Sequence, residues 1–301
     1  MLMVTGVGGG LGGAIARRLA GREGVIAGSR RPEDAPAGLP ARRIDFDDPA
    51  SLREGFAGVG TLLLISAGYG EDDTVIARHG AAVDAAERAG VRHIVYTSLT
   101  GAGDHLPYAL PHRWTERRLR EGRAAWTILR NGLYAELLAV LASPDGEGRI
   151  TLPMGEGRLA AVSREELAEV AARVAIEAHG APGAPGVPVA DGARAGARAP
   201  HAGRVYELVG PEAIGGREVA AAMGAGVRYA PGTLADARQR LAASGAADFQ
   251  VPMLVGTAST VAAGFLAGTG GDLPALLGRE PAHASRVLTE LFAGAGAGVG
   301  A

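Results

Sequence analysis

The residues whose spacing carries the most chemistry are glycines. In Thr5-Gly6-Val7-Gly8-Gly9-Gly10-Leu11-Gly12, three glycines, Gly6, Gly9 and Gly12, recur at every third position. The string lies between an apolar run at 2–5 that reads as a strand and a stretch at 11–19 that reads as a helix. In that setting the first glycine permits a tight turn, the second lets backbone approach a pyrophosphate, and the third lets helix pack on strand. The N–H groups that open the helix, at Gly10, Leu11 and Gly12, then favour phosphate. The chain holds 48 glycines in 301 residues, so the string alone could arise by chance; its place between strand and helix is what gives it meaning.

The ends of the next strands should choose the nucleotide. An acidic residue after the second strand would take the ribose 2'-hydroxyl of NAD. This chain has Ser29-Arg30-Arg31 there. The planar guanidinium groups of Arg30 and Arg31 suit a 2'-phosphate, which predicts NADP, with NADPH preferred over NADH; two solvated loop arginines are the alternative. Asp45 and Phe46, ending the third strand, are placed to meet the adenine. Ser66, Ala67 and Gly68, ending the fourth, are small enough for backbone to come near the dinucleotide.

Composition removes other chemistries. There is no cysteine and no lysine, and asparagine occurs once, at Asn131. Disulfides, thiolate nucleophiles, Schiff bases, a phosphate-loop lysine and a Tyr–Lys pair are excluded. No G-x-S-x-G occurs and the seven histidines lack ligand spacing, so no metal site is expected. A net charge of -2 gives no reason to expect nucleic acid or an anionic membrane as partner. With no apolar run long enough for a span and no leader pattern at the N-terminus, a cytoplasmic protein is the default reading.

The elements that must hold these residues alternate strand with helix. Strands are read at 2–5, 25–29, 41–45, 61–66, 92–98 and 125–130, and helices at 11–19, 74–89 and from Pro111 to about 121. This is an α/β pattern, a parallel sheet covered by helices. A helix at 163–178 carries a capping-box pattern in Ser163 and Glu166. A strand at 205–209 and helices near 216–223, 233–243 and 283–292 follow. Residues 179–203, rich in Gly, Pro, Ala and Arg, read as a flexible insertion, and 293–301 as a frayed tail.

The Gly6/Gly9/Gly12 turn, Arg30 before Pro32, Leu62-Leu63-Leu64-Ile65-Ser66, Ala89-Gly90-Val91, Tyr96-Thr97-Ser98-Leu99 and Thr127-Ile128-Leu129-Arg130-Asn131-Gly132-Leu133-Tyr134 together resemble the NmrA-like branch of atypical short-chain dehydrogenases, and within it type 2 NAD(P)H:quinone oxidoreductases. The likeness is good over 1–178 and thins toward the C-terminus. It implies a Rossmann-like, doubly wound parallel sheet with a smaller C-terminal α/β subdomain, divided at 1–131 and 132–295, a substrate cleft between them, and NADPH-dependent reduction of quinones. The partner would be a small planar acceptor such as a quinone; a homodimer is left open. The chain departs from the family where Arg117 stands at a position that is often lysine. A Tyr-x-x-x-Lys motif sought at Tyr108 ends in His112, with Pro111 between, so a conventional tyrosine acid is discounted.

For the acceptor side, His112 could give a proton at an ordinary pKa near 6.5, or could be a half-exposed helix-start histidine. Asn131 could serve the site at the carboxyl edge of the sheet, or form a turn with Gly132. Tyr134 could stack on a planar acceptor, or fill the core. Gly155 and Arg158, in Gly155-Glu156-Gly157-Arg158-Leu159-Ala160, resemble the family loop over the nicotinamide, with an exposed loop arginine as the alternative. His79 reads as a packed or surface histidine. A regulator that senses NADP(H) without turning it over is the competing reading, favoured by the absent lysine.

Overall fold

Short strands made only of apolar and small residues cannot face water on either side, and they set the frame here. In the computed structural model, which describes residues 1–67, 70–142, 144–180 and 199–297, the strands and helices alternate through the first half. The order is β1 (Leu2–Val4), α1 (Gly10–Leu19), β2 (Val25–Ser29), β3 (Ala41–Arg43), α2 (Pro49–Gly55), β4 (Thr61–Leu64), α3 (Asp72–Arg88), β5 (His93–Leu99), α4 (Ala109–Arg120) and β6 (Ala125–Asn131). It continues with α5 (Ala135–Leu141), β7 (Arg149–Leu152), α6 (Arg164–His179), β8 (Arg204–Leu208), α7 (Gly216–Met223), β9 (Arg228–Pro231), α8 (Leu234–Ala243), α9 (Gln250–Ala262), α10 (Asp272–Leu277) and α11 (Ala284–Ala297).

Seven strands form one sheet in the order β3-β2-β1-β4-β5-β6-β8, and β7 pairs with β9 in a separate ribbon. The registers of β1 with β2 and β4, and of β4 with β5, are parallel. The strand order reverses between β1 and β4, which is the switch point where such sheets open a crevice beyond their carboxyl ends. The expected Rossmann-like parallel sheet is therefore present. Its core packs Met3, Ile26, Leu62, Leu64 and Ile94 with Phe56 and Leu119 from the flanking helical segments.

The chain divides into two compact units. One comprises Met1–Ser98, Pro111–Arg130 and Leu167–Tyr206; the other comprises Leu99–Leu110, Asn131–Glu166 and Glu207–Ala301. The second has its own core, in which Leu133, Leu138, Ile150, Leu152, Leu159, Ile214, Val219 and Leu288 are buried together. Most of the expected insertion lies outside the described residues. Among the described residues, no helix is long and apolar enough to cross a membrane.

Two local expectations change. Helix α4 starts at Ala109, two residues before Pro111. Proline is tolerated there because the first-turn N–H groups have no intrahelical acceptor in any case. The capping box at Ser163 is replaced by tertiary bonds. Glu166 Oε1 accepts from Arg279 at 2.6 Å and from the Ala282 N–H at 2.9 Å, while the Arg164 N–H donates to Glu136 at 3.1 Å.

Candidate active site

The glycine turn has the geometry its spacing implies. Gly6 has φ +65°, and a Cβ there would also press on Ile65 Cβ at 3.2 Å. A Cβ on Gly12 would fall 2.1 Å from the Gly6 carbonyl oxygen, so only glycine lets the helix start this close to the strand end. Gly9 is the N-cap. Its N–H donates to the Gly6 carbonyl at 3.0 Å, and its own carbonyl accepts the first helical bond, from Gly13, at 2.8 Å. The N–H groups of Gly10, Leu11 and Gly12 thus precede the helical ladder. No acidic side chain occupies the first turn of α1. The donors, the dipole and the glycine cradle suit a dinucleotide diphosphate.

Ile65, Ser66 and Ala67 leave β4 directly beside this turn. Each of their N–H groups finds a side-chain acceptor. Ile65 donates to Thr5 Oγ1 at 3.0 Å, Ser66 to Thr97 Oγ1 at 3.1 Å, and Ala67 to His79 Nε2 at 2.9 Å. Gly68 lies outside the described residues. His79 is fully buried, and burial pushes its pKa down to about 3. His79 is packed, as one of its two readings had it, and nothing in the residue spacing pointed to these partners.

Beyond β2, Arg30 and Arg31 are both exposed. Arg31 is engaged by Asp34 at 2.6 Å. Across the loop after β3, Arg78 grips Asp47 through two bonds of 2.8 and 2.7 Å. Those bonds hold the Asp47 carboxyl below the usual range, with the Arg30 charge adding to the effect. Asp45 turns onto its own loop, with Oδ1 accepting from the Asp47 N–H at 3.1 Å. Phe46 is half-buried against the core of the first unit.

His112, on α4, pairs through Nδ1 with the Tyr96 hydroxyl at 3.0 Å. Burial, helped by Arg113, pushes its pKa down to about 4. That direction favours a neutral ring at pH 7 and weighs against the expected proton donor. The same region holds a carboxylate that sequence reasoning missed. Glu116 is 1% exposed and receives the Ser98 hydroxyl at 2.7 Å and two bonds from Arg130 at 2.9 and 2.7 Å. Arg113 and Arg120 complete its shell at 3.0 and 3.2 Å.

In the second unit, Asn131 ends β6 and is buried, with Oδ1 lacking a hydrogen-bond partner. Its side chain meets the Tyr134 hydroxyl, whose pKa burial pushes up to about 12. The Arg164 guanidinium stands over the Tyr134 ring at 5.6 Å. Gly155 has φ +54°, and its carbonyl accepts from the Tyr229 hydroxyl at 2.8 Å. Arg158 is committed to the protein. It bonds the Ala213 carbonyl at 2.7 Å and Glu218 at 2.7 Å, a latch between loop and α7.

The family described as NAD(P)H-binding matches residues 6–178, more than half of the chain. The chain belongs to this NAD(P)H-binding family. Quinone oxidoreductase 2 of Escherichia coli (strain K12) is 30% identical over 306 residues, covering 97% of this chain and 99% of that one. A crystal structure of NADPH-dependent quinone oxidoreductase from that species with NADPH superposes with a TM-score of 0.79 at 30% identity, over 97% and 100% of the chains. Citrobacter sp. triphenylmethane reductase complexed with NADP(H) gives a TM-score of 0.82 at 27% identity, over 97% and 100%. An NAD(P)H azoreductase of Xenophilus azovorans is 26% identical over 294 residues, 93% of each chain. The NmrA-like resemblance is borne out, and this member of the NAD(P)H-binding family is an NAD(P)H-dependent oxidoreductase.

Proposed function

We propose that the protein uses NADPH, in preference to NADH, to reduce a quinone or a similar planar acceptor. The observation that carries this is the turn in which Gly12 sits against the Gly6 carbonyl with helix-start amides ahead of it. The similarity to NADPH-dependent quinone reductase over nearly the whole chain supports the acceptor class. When bound, the nicotinamide would supply a hydride to the acceptor; the reduced quinone then needs one proton.

The chain's own residues divide the remaining work. The amides of Gly10, Leu11 and Gly12 bind the diphosphate, Arg30 meets the 2'-phosphate, and Ile65, Ser66 and Ala67 border the nucleotide. Asn131 and Tyr134 serve the acceptor side. Tyr134, with its pKa pushed up to about 12, keeps its proton at pH 7 and donates a hydrogen bond to an acceptor oxygen rather than surrendering the proton. His112, whose pKa burial pushes down to about 4, is paired with the Tyr96 hydroxyl and carries no extra proton to give at pH 7. The proton comes from solvent, which an electrophile as reactive as a quinone can tolerate.

The test is NADPH oxidation with benzoquinone, alongside calorimetric titration of NADPH and NADH. Turnover with NADPH at a lower KM than with NADH is expected. Tight NADPH binding with no turnover of quinones, dyes or aldehydes would remove the reductase reading.

A further inference from the structure

Three consecutive amides at the end of β4 are each tied to a side chain from a different element: Ile65 to Thr5 on the strand-end of β1, Ser66 to Thr97 on β5, and Ala67 to His79 on α3. Strand ends commonly leave such groups to water or ligand. Here the backbone donors are used up, so the backbone of the segment can offer a ligand only carbonyl oxygens, and its one side-chain donor is the Ser66 hydroxyl, which lies 3.4 Å from His79 Nε2. It lies at the switch point between β1 and β4, with Ile65 against Gly6. Its first two ties come from threonine hydroxyls on neighbouring strands. The third reaches across from a helix, and it depends on the protonation of one ring.

That ring has a single workable tautomer. Thr115 Oγ1 donates to the Pro111 carbonyl at 2.7 Å, so it accepts from His79 Nδ1–H at 2.8 Å. Nε2 is left with a lone pair, which the Ala67 N–H fills at 2.9 Å. The Tyr96 ring meets His79 edge-on at 5.6 Å. His79 thus joins the loop after β4 to Thr115 on α4 through one neutral imidazole.

We propose that His79 is a positioning residue for the cofactor. As the Nδ1–H tautomer it holds the Ser66-Ala67 backbone with its amide turned inward, so that the segment presents carbonyl acceptors to the hydroxyl-bearing ribose part of the nucleotide and no backbone donor to its phosphates. The proposal rests on the NADPH-binding reading above. It concerns ground-state binding, so loss of His79 raises KM and Kd for the nucleotide and leaves chemistry at saturation nearly unchanged.

The experiment compares wild-type protein with His79→Leu, His79→Gln and Thr115→Val. Readouts are the NADPH dissociation constant by titration calorimetry, KM and kcat with benzoquinone, and thermal unfolding. Leucine removes both bonds and should raise Kd and KM for NADPH about tenfold or more, with kcat within about threefold. Glutamine can still accept from the Ala67 N–H and should recover most of the affinity. Valine at 115 frees Nδ1 and should weaken binding in the same direction by a smaller factor; it decides the matter if the leucine variant does not fold. A folded leucine variant with wild-type affinity, or a glutamine variant as weak as the leucine one, overturns the proposal. Wild-type protein that binds neither NADPH nor NADH would instead overturn the functional reading beneath it.

Discussion

Arg30 and Glu116 show how differently charge is used at single positions. Arg30 is exposed at the end of β2, with no acidic residue in the place that would favour NAD. A charge-assisted bond from guanidinium to phosphate is worth about 1.5–3 kcal/mol. Arg30→Ala should therefore weaken NADPH binding about tenfold to a hundredfold and leave NADH within about twofold. Equal losses for both nucleotides, measured by titration calorimetry, would take the 2'-phosphate away from Arg30. Glu116 is the opposite case. It is a buried carboxylate that neutralises Arg130, Arg113 and Arg120, and the bonds from Arg130 and Ser98 overcome burial and hold its carboxyl below the usual range. Glu116→Ala would take away the buried carboxylate that those three guanidinium groups share. The expected cost is about 3–5 kcal/mol of stability, read from urea unfolding. A loss under about 1 kcal/mol would mean that the arginines simply turn to solvent.

At the scale of elements, the start of α1 is placed by contact rather than by a side-chain cap. The added Cβ in Gly12→Ala would meet backbone at 2.1 Å, and backbone cannot swing aside as a flexible side chain can. The helix start would have to retreat from β1, carrying the Gly10, Leu11 and Gly12 amides off the diphosphate. Overpacking of this kind costs about 1–3 kcal/mol. Nucleotide affinity should fall at least about tenfold, with unfolding still cooperative; an alanine variant that binds NADPH normally would show that the turn is not the phosphate site. This element was legible because its signal is local: buried parallel strands are short apolar runs, and the glycine turn sits at a fixed offset from one of them. Strand β2 and helix α7 have the boundaries read from the residues for the same reason. Strands β7 and β9, only four residues each, escaped notice, as did α9, whose Gln250–Ala262 segment carries no charged residue to mark a polar face. The ties around the site were not legible either. His79 on α3 meets Ser66 and Ala67 in the segment after β4 and Thr115 on another helix, and Arg158 is held by Ala213 and Glu218 from a distant stretch. Pairings at such separations leave no period in the sequence.

Over the whole molecule, the first unit keeps three histidines neutral. His79 is pushed by burial to about 3, and His93 and His112 to about 4. Each is tied in a neutral form: His93 donates through Nε2 to Thr127 at 2.8 Å, because Thr127 itself donates to the His201 carbonyl at 2.9 Å. In the unfolded chain the same rings protonate near 6.5. Above that pH both states carry neutral rings, and the contribution to stability is fully present. As pH falls below 6.5 the unfolded chain binds protons that the folded one refuses, so stability declines, and the decline ends only near 3–4, where the folded rings protonate too. Carboxylates held low by arginine, Glu116 among them, add a second loss that begins as pH falls into the ordinary carboxylate range. Urea unfolding followed between pH 7.5 and 4.5, a range chosen to span the ordinary histidine value near 6.5, should give a nearly level stability at the alkaline end. From about pH 6 downward it should fall with a slope of about three protons or more taken up per molecule unfolded, His179, whose pKa burial also lowers, adding to the three. Replacing His93 with glutamine should lower that slope by about one proton without shifting the pH at which the decline begins. Stability that stays level down to pH 5 would mean that these rings are protonated in the folded protein, and the neutral tautomer assigned to His79 would then be untenable.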